Sequence, residues 1–320
     1  MKKFIEIKRT EDTITFYWKL TDYCNWACSY CSPLLHEGKY YHANQLSSDQ
    51  RIRIFLDRLE SIKGNKRLIV CLTGGEPTTH PLFAEIVEKI QSIGGYVDII
   101  TNGSRPVGWW KKLPSLPVFN IISLHPEYTD LSKINELGLY LDSQKVSVKF
   151  NLCADPANWP WVEAVYNQLD PSLHNAIICK ILTRHRLEAD PQFVDGQLYD
   201  YTAEQMDFIK ARSTYRREQR HPGDNSIGYY DDGTSFKLNP YRLTANNNHK
   251  FYGWECTAGQ TGFMIMPDGE IYAGLCANKS LGYIDSFQPL PDPVKCKIIF
   301  CKCPADIAIN KKKVTLPLGQ

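Results

Sequence analysis

The sequence predicts an α/β fold, a partial (β/α)6 TIM-like barrel followed by a small C-terminal α+β region. Three observations carry that reading. Strand-like and helix-like patterns alternate through residues 13–185, the order that builds a parallel sheet by right-handed crossovers. Two of the strand-like runs keep a polar face, whereas a parallel strand covered by helices on both sides is apolar on both. Beyond residue 250 the pattern changes to short strands and a hairpin.

In order, "TITFYWKLT" (13–21) alternates as a strand, with Tyr17, Lys19 and Thr21 opposite Phe16, Trp18 and Leu20. "SSDQRIRIFLDRLESI" (47–62) reads as a helix with Ser47 or Ser48 as its N-cap. Strand 67–73, helix 81–93, strand 96–101 and a short helix at 107–112 follow. Strand 118–124, helix 129–141, strand 145–152, helix 159–169 and strand 176–183 complete the run. In "SVKFNLC", Ser147, Lys149, Asn151 and Cys153 share one face, and Val148, Phe150 and Leu152 the other. The strand count alone also fits a doubly wound sheet. A repeated polar face implies instead a lumen that holds a polar ligand.

Residues 186–250 are polar and rich in turn formers, with a helix only at 202–213, and read as a bridging insertion. "GFMIMPDGEIYAGLC" then reads as a hairpin turning at Asp268-Gly269. Three domains follow from this pattern, at 1–185, 186–250 and 251–320.

Composition excludes little. The 320 residues are 43% hydrophobic and 22% charged, ordinary for a globular chain. No apolar run of about 18 residues exists, so no membrane helix is expected. "MKKFIEIKRTED" lacks the apolar core of a secretory signal, which points to the cytoplasm, where thiols stay reduced. The 11 cysteines then need metal, catalysis or burial to explain them. A net charge of +2 argues neither for nor against nucleic acid.

The chemistry starts at "CNWACSYC", with Cys24, Cys28 and Cys31. A structural zinc site uses four protein ligands. Three cysteines on a 4Fe–4S cluster leave one iron without a protein ligand. The C-x3-C-x2-C loop directly follows the first predicted strand, at the mouth of the barrel, where barrel enzymes do their chemistry.

On these residues the chain resembles the radical S-adenosylmethionine (radical SAM) enzymes. The resemblance extends in order through "GGEP" (Gly74, Gly75, Glu76 and Pro77), "TNG" (Thr101, Asn102 and Gly103), "SLH" (Ser123, Leu124 and His125), Asn151 and Leu182. It covers roughly residues 13–185. The resemblance implies a cluster on the three cysteines whose open iron binds the amino and carboxylate groups of SAM. An external one-electron reductant such as flavodoxin or ferredoxin would reduce it. Cleavage of SAM would then give a 5′-deoxyadenosyl radical that takes hydrogen from a substrate. Gly74, Gly75 and Glu76 would meet the SAM amino group, Ser123 the ribose, and Leu182 and Tyr30 the adenine; Asn102 and Asn151 complete the cofactor set.

Cys256, Cys276, Cys296, Cys301 and Cys303 around the "PDG" hairpin resemble the Twitch and SPASM extensions of the same enzymes, which carry auxiliary clusters. Five thiols fully ligate one 4Fe–4S cluster with one left over; a zinc knuckle is the alternative, since thiolate tetrads suit either metal. Cys71 and Cys179 read as buried small hydrophobes. His125, Lys149 and Cys153 are the candidate catalytic groups near substrate. Trp109, Trp110, Trp159, Trp161 and Trp254 read as packing anchors.

The expected activity is hydrogen abstraction leading to oxidation, cross-linking or rearrangement of a peptide or small molecule, with the auxiliary cluster as electron acceptor. Only 23 residues precede Cys24, which leaves no room for a fused leader-binding domain before it. The basic stretches 212–221 and Lys311–Lys313 keep open a nucleoside or nucleic-acid substrate. A non-enzymatic iron–sulfur or zinc protein is the reading from another class. It leaves the motifs at successive strand ends without a purpose.

Overall fold

The computed structural model describes residues 2–32, 35–182, 199–212, 226–245, 248–301 and 303–314. The strands of the amino-terminal part are β1 (Phe4–Arg9), β2 (Thr13–Thr21), β3 (Arg67–Gly74), β4 (Tyr96–Thr101), β5 (Phe119–Leu124), β6 (Ser147–Ala154) and β7 (Ile177–Ile181). Those that follow are β8 (Ser226–Tyr230), β9 (Ser235–Lys237), β10 (Glu255–Cys256), β11 (Gly262–Ile265), β12 (Glu270–Ala273), β13 (Ser280–Tyr283), β14 (Val294–Lys295) and β15 (Lys311–Lys312). The helices are α1 (Lys39–Lys63), α2 (Phe83–Ser92), α3 (Val107–Trp110), α4 (Leu131–Ser143), α5 (Trp159–Gln168), α6 (Ala203–Ala211), α7 (Pro240–Ala245) and α8 (Pro304–Ala308).

The chain forms two compact units. One comprises Met1–Trp18, Leu46–Val70 and Arg220–Gln320; the other Lys19–Gln45 and Cys71–Gln219.

In the second unit the C-terminal ends of β2 and β3 are followed by β4, β5, β6 and β7 in sequential order. β4 to β7 pair in parallel. A sequential order lacks the reversal point of a doubly wound sheet. Helices between the strands cover one face: Phe83, Ile86, Val87 and Ile90 of α2 are buried, as are Leu131, Ile134, Leu137 and Leu141 of α4. Val148, Phe150 and Leu152 of β6 are fully buried, and each contributes about 1.5–3 kcal/mol. Ser147, Lys149 and Asn151 alternate with them and stay half-buried, as the sequence pattern predicts.

In the first unit β1 lies between β15 and β8, antiparallel to both, in a six-stranded order β14-β10-β15-β1-β8-β9. The start of β2 pairs with β11 of the β11–β12 hairpin, whose turn contains Gly269 at φ 85°. Phe16 stacks on Phe263 at 4.8 Å and meets Phe55 edge-on. Arg58 donates to the carbonyls of Asp285 (2.6 Å) and Phe287 (2.8 Å).

Two sequence readings change. Helix α1 begins at Lys39, so Ser47 and Ser48 lie inside it; the chain enters through Gly38 at φ 63°, a conformation glycine adopts without cost. Residues 226–245, expected as irregular, hold β8, β9 and α7, because β8 pairs with β1. The amino-terminal strand therefore belongs with C-terminal residues. The basic stretch 212–221 lies outside the described residues apart from Arg212. Among the described residues no helix is long and apolar enough to cross a membrane.

Candidate functional site

The loop after β2 is fixed by the end of β3. Gly75 N–H donates to Thr21 O and Glu76 N–H to Tyr23 O, each at 2.8 Å. A Cβ on Gly74, which sits at φ +132°, would lie 2.2 Å from Thr21 O. On Gly75 it would lie 2.1 Å from Tyr23 O. The glycines thus let two backbones meet. Glu76 is fully buried, and its carboxylate accepts from Thr78 N–H (3.0 Å), Thr78 Oγ1 (2.6 Å), Thr101 Oγ1 (2.7 Å) and Asn102 N–H (2.7 Å). Burial pushes its pKa up, and those donors oppose the rise.

Cys24, Cys28 and Cys31 line one cavity with Gly74, Gly75, Thr101, Asn102, Ser123 and His125. Cys24 Sγ accepts from Trp26 N–H (3.4 Å) and Asn102 Nδ2 (3.8 Å). Asn102 Nδ2 also donates to Asn25 Oδ1 at 2.9 Å, tying the "TNG" turn to the cysteine loop. Burial raises the Cys24 thiol to about 11 and Cys28 to about 12, with neighbouring thiolates adding repulsion; Cys31 also rises through burial. Free thiols here stay protonated at neutral pH, and a bound metal is what makes three adjacent thiolates stable. Among the described residues no three Cys, His, Asp or Glu side chains form a group able to hold a single metal ion. The donor set fits a cluster of thiolate-held irons, with three thiols on one wall.

Beyond the cysteines, Tyr30 Oη lies 2.9 Å from His125 Nδ1, and Cys153 Sγ lies 3.9 Å from the same nitrogen. Burial pushes His125 down to about 4, so its imidazole is neutral. Trp26 stacks on Tyr128 at 5.7 Å and meets His125 edge-on. Glu127 accepts from Ser29 N–H (2.9 Å) and from Ser29 Oγ. In the sheet Ser123 is level with Asn151, Asn151 with Ile178, and Cys153 with Lys180. The Asn151 Oδ1 atom is buried without a hydrogen-bond partner among the described residues. Lys149 lies on the same face, level with Ile121. Leu182 N–H donates to Tyr201 Oη (2.9 Å), which donates in turn to Ala154 O (2.6 Å). Sequence reasoning missed Trp26, Glu127, Lys180 and Tyr201. Trp26 lies within the cysteine motif and Glu127 two residues past "SLH", and that proximity was the signal for both.

Cys71 and Cys179 are buried, as are Trp110 and Trp254. In the first unit Cys256, Cys296 and Cys301 are buried, and Cys276 and Cys303 half-buried. Burial raises all four of Cys276, Cys296, Cys301 and Cys303, the last to about 11. At Cys301 the Lys311 cation is the next influence and opposes burial. Asp306 accepts from Leu275 N–H (3.1 Å) and Cys276 N–H (2.9 Å), fixing the turn that carries Cys276. Lys311 is only 3% exposed, which removes it from the basic surface patch read in sequence.

Residues 18–136 match the family model of the radical SAM superfamily. A GTP 3′,8-cyclase of Actinobacillus succinogenes is 34% identical over 106 residues, 31% of this chain and 30% of the relative. The match therefore spans about a third of that curated relative. The fold is similar to anSMEcpe with bound S-adenosylmethionine, at TM-score 0.52 and 15% identity over 86% of this chain and 76% of that one. It is also similar to Streptococcus suis SuiB bound to its precursor peptide SuiA, at TM-score 0.51 and 13% identity over 88% and 64%. The cysteine loop, the glycine turn and the strand-end residues Thr101, Asn102, Ser123 and His125 thus line one cavity within residues 18–136, the part of the chain that matches the radical SAM superfamily model.

Proposed function

We propose that the chain is a radical SAM enzyme in which Cys24, Cys28 and Cys31 hold a 4Fe–4S cluster, the superfamily's cofactor together with SAM. The observation that carries this is the set of three thiols on one cavity wall, Cys28 buried and Cys24 and Cys31 half-buried, beside a sheet face where Asn151 Oδ1 has no partner among the described residues. When bound, the pair supplies one-electron cleavage of the sulfonium and a hydrogen-abstracting radical.

The chain's own residues set the environment. Trp26 N–H and Asn102 orient Cys24. Ser123 and Asn151 offer polar contacts for the SAM ribose, and Tyr30 and Leu182 an apolar wall for its adenine. Gly74, Gly75 and Glu76 hold the loop that faces the SAM amino group. Neutral His125, with Lys149 and Cys153 on the same side, is available to bind substrate or accept a proton. We read β2 to β7 as a partial (β/α)6 barrel, and the hairpin with its five cysteines as a Twitch- or SPASM-like domain. There, four of the five thiols would hold an auxiliary 4Fe–4S cluster, and the chemistry it would supply is an acceptor for an electron from a peptide or small-molecule substrate. The relative named for a GTP substrate favours a second reading, a nucleotide in the same position.

Anaerobic reconstitution should give a brown protein with about eight irons per chain. Dithionite and SAM should then release 5′-deoxyadenosine, and Cys28→Ala should abolish that release. A colourless zinc-loaded protein sinks the reading. Stimulation of SAM cleavage by peptides rather than nucleoside triphosphates separates the two substrate classes.

A further inference from the structure

We infer that Lys311 is a positioning residue for the auxiliary cluster, a buried cation that offsets the cluster's negative charge and holds its reduction potential up. The inference rests on the reading of the C-terminal cysteines as cluster ligands.

Strand register brings the lysine to the thiols. In the antiparallel β10–β15 pair, Cys256 stands opposite Lys311, so both side chains leave the sheet on the same face. Cys256 is also opposite Val294, and Lys311 opposite Ile7, which completes a row across four strands. The lysine's partners are unusual. Its ammonium donates to the main-chain carbonyls of Asp306 and Ile309 and lies 5.4 Å from the centre of the Phe251 ring. The Asp306 carboxylate is turned to Leu275 and Cys276 N–H. Hydrogen bonds to carbonyls satisfy the donors, but among the described residues no carboxylate forms an ion pair with the charge, which sits in a poorly solvated place. A buried cation of that kind costs several kcal/mol unless an anion comes to it. Cys256 stands opposite it and Cys296 and Cys301, both buried, feel its charge, so as iron ligands they would supply that anion. A thiolate-held cluster is negative in both oxidation states and more negative when reduced. A fixed positive charge beside it therefore favours the reduced form.

The test uses the full chain, reconstituted anaerobically as wild type, Lys311→Met and Lys311→Arg. Iron content and a redox titration followed by electron paramagnetic resonance are measured on each. The auxiliary signal is the one that SAM does not perturb. In Lys311→Met, with irons retained, its midpoint should shift to more negative potential, and in Lys311→Arg it should stay near wild type. An unmoved midpoint in fully loaded Lys311→Met overturns the inference. If Lys311→Met loses about half the iron and Lys311→Arg keeps it, the charge is required; equal loss in both assigns the residue to packing and overturns it. A wild type with about four irons and no SAM-insensitive signal removes the auxiliary cluster itself, and the inference with it.

Discussion

Tyr30 and His125 stack with ring centres 5.8 Å apart and planes 10° apart, and the tyrosine hydroxyl sits 2.9 Å from Nδ1 of the histidine. One residue comes from the cysteine loop and the other from the end of β5, so this pair closes the loop over the sheet. Burial, opposed by Glu127, drops the His125 pKa from 6.5 to about 4. In the unfolded chain the same imidazole takes a proton near 6.5, so between the two values the unfolded state binds more protons. Stability should then be level above pH 6.5 and fall as the pH drops toward 4, by about 3 kcal/mol at most from this residue. Urea midpoints at pH 7 and pH 5 check it. His125→Gln should shrink the difference, and an unchanged difference assigns the acid loss elsewhere.

Gly75→Ala drives a methyl group into Tyr23 O. The cysteine loop must move to admit it, at a cost of about 1–3 kcal/mol. Iron analysis should find the iron held by Cys24, Cys28 and Cys31 depleted in this variant, and iron at the proposed C-terminal site retained.

Glu76→Gln replaces an acceptor of four hydrogen bonds with a group that also donates. Loss of stability of about 1–3 kcal/mol is expected, read as a lower melting temperature. SAM affinity measured on the fraction that remains folded and loaded should change little if the residue acts by bracing Thr101 and Asn102. A large drop in affinity with unchanged melting makes Glu76 a direct contact.

Asn151→Ala is expected to behave in the opposite way. Its Oδ1 has no partner among the described residues, so removing it should cost the fold no more than about 0.5 kcal/mol. Loss of a hydrogen bond to bound SAM would weaken binding about tenfold. Equilibrium dialysis with the loaded protein measures this directly, and unchanged affinity removes Asn151 from the cofactor site.

The parallel strands were legible because alternation in "SVKFNLC" is a local property, and the half-buried Lys149 and Asn151 follow it residue by residue. The cysteine loop was legible from spacing alone. What sequence could not supply was long-range pairing. β1 is a plain amphipathic run, and nothing near it announces that its partners are residues 226–230 and 311–312. Lys311 misled for the same reason. Beside Lys312 and Lys313 it looks like surface charge, and only its place opposite Cys256 turns it inward. The glycines of "GGEP" were read as room for a ligand, while the nearest atoms to them belong to the backbone of Thr21 and Tyr23.

The central position of β1 also fixes an order of events at the ribosome. Its neighbour β15 emerges roughly three hundred residues later, so the sheet that holds Cys256 stays half-built until that strand has been made. The pairing that sets Cys256 opposite Lys311 therefore waits on a late segment, whereas the loop of Cys24, Cys28 and Cys31 waits only on the strands β3 to β7 that follow it closely in the chain.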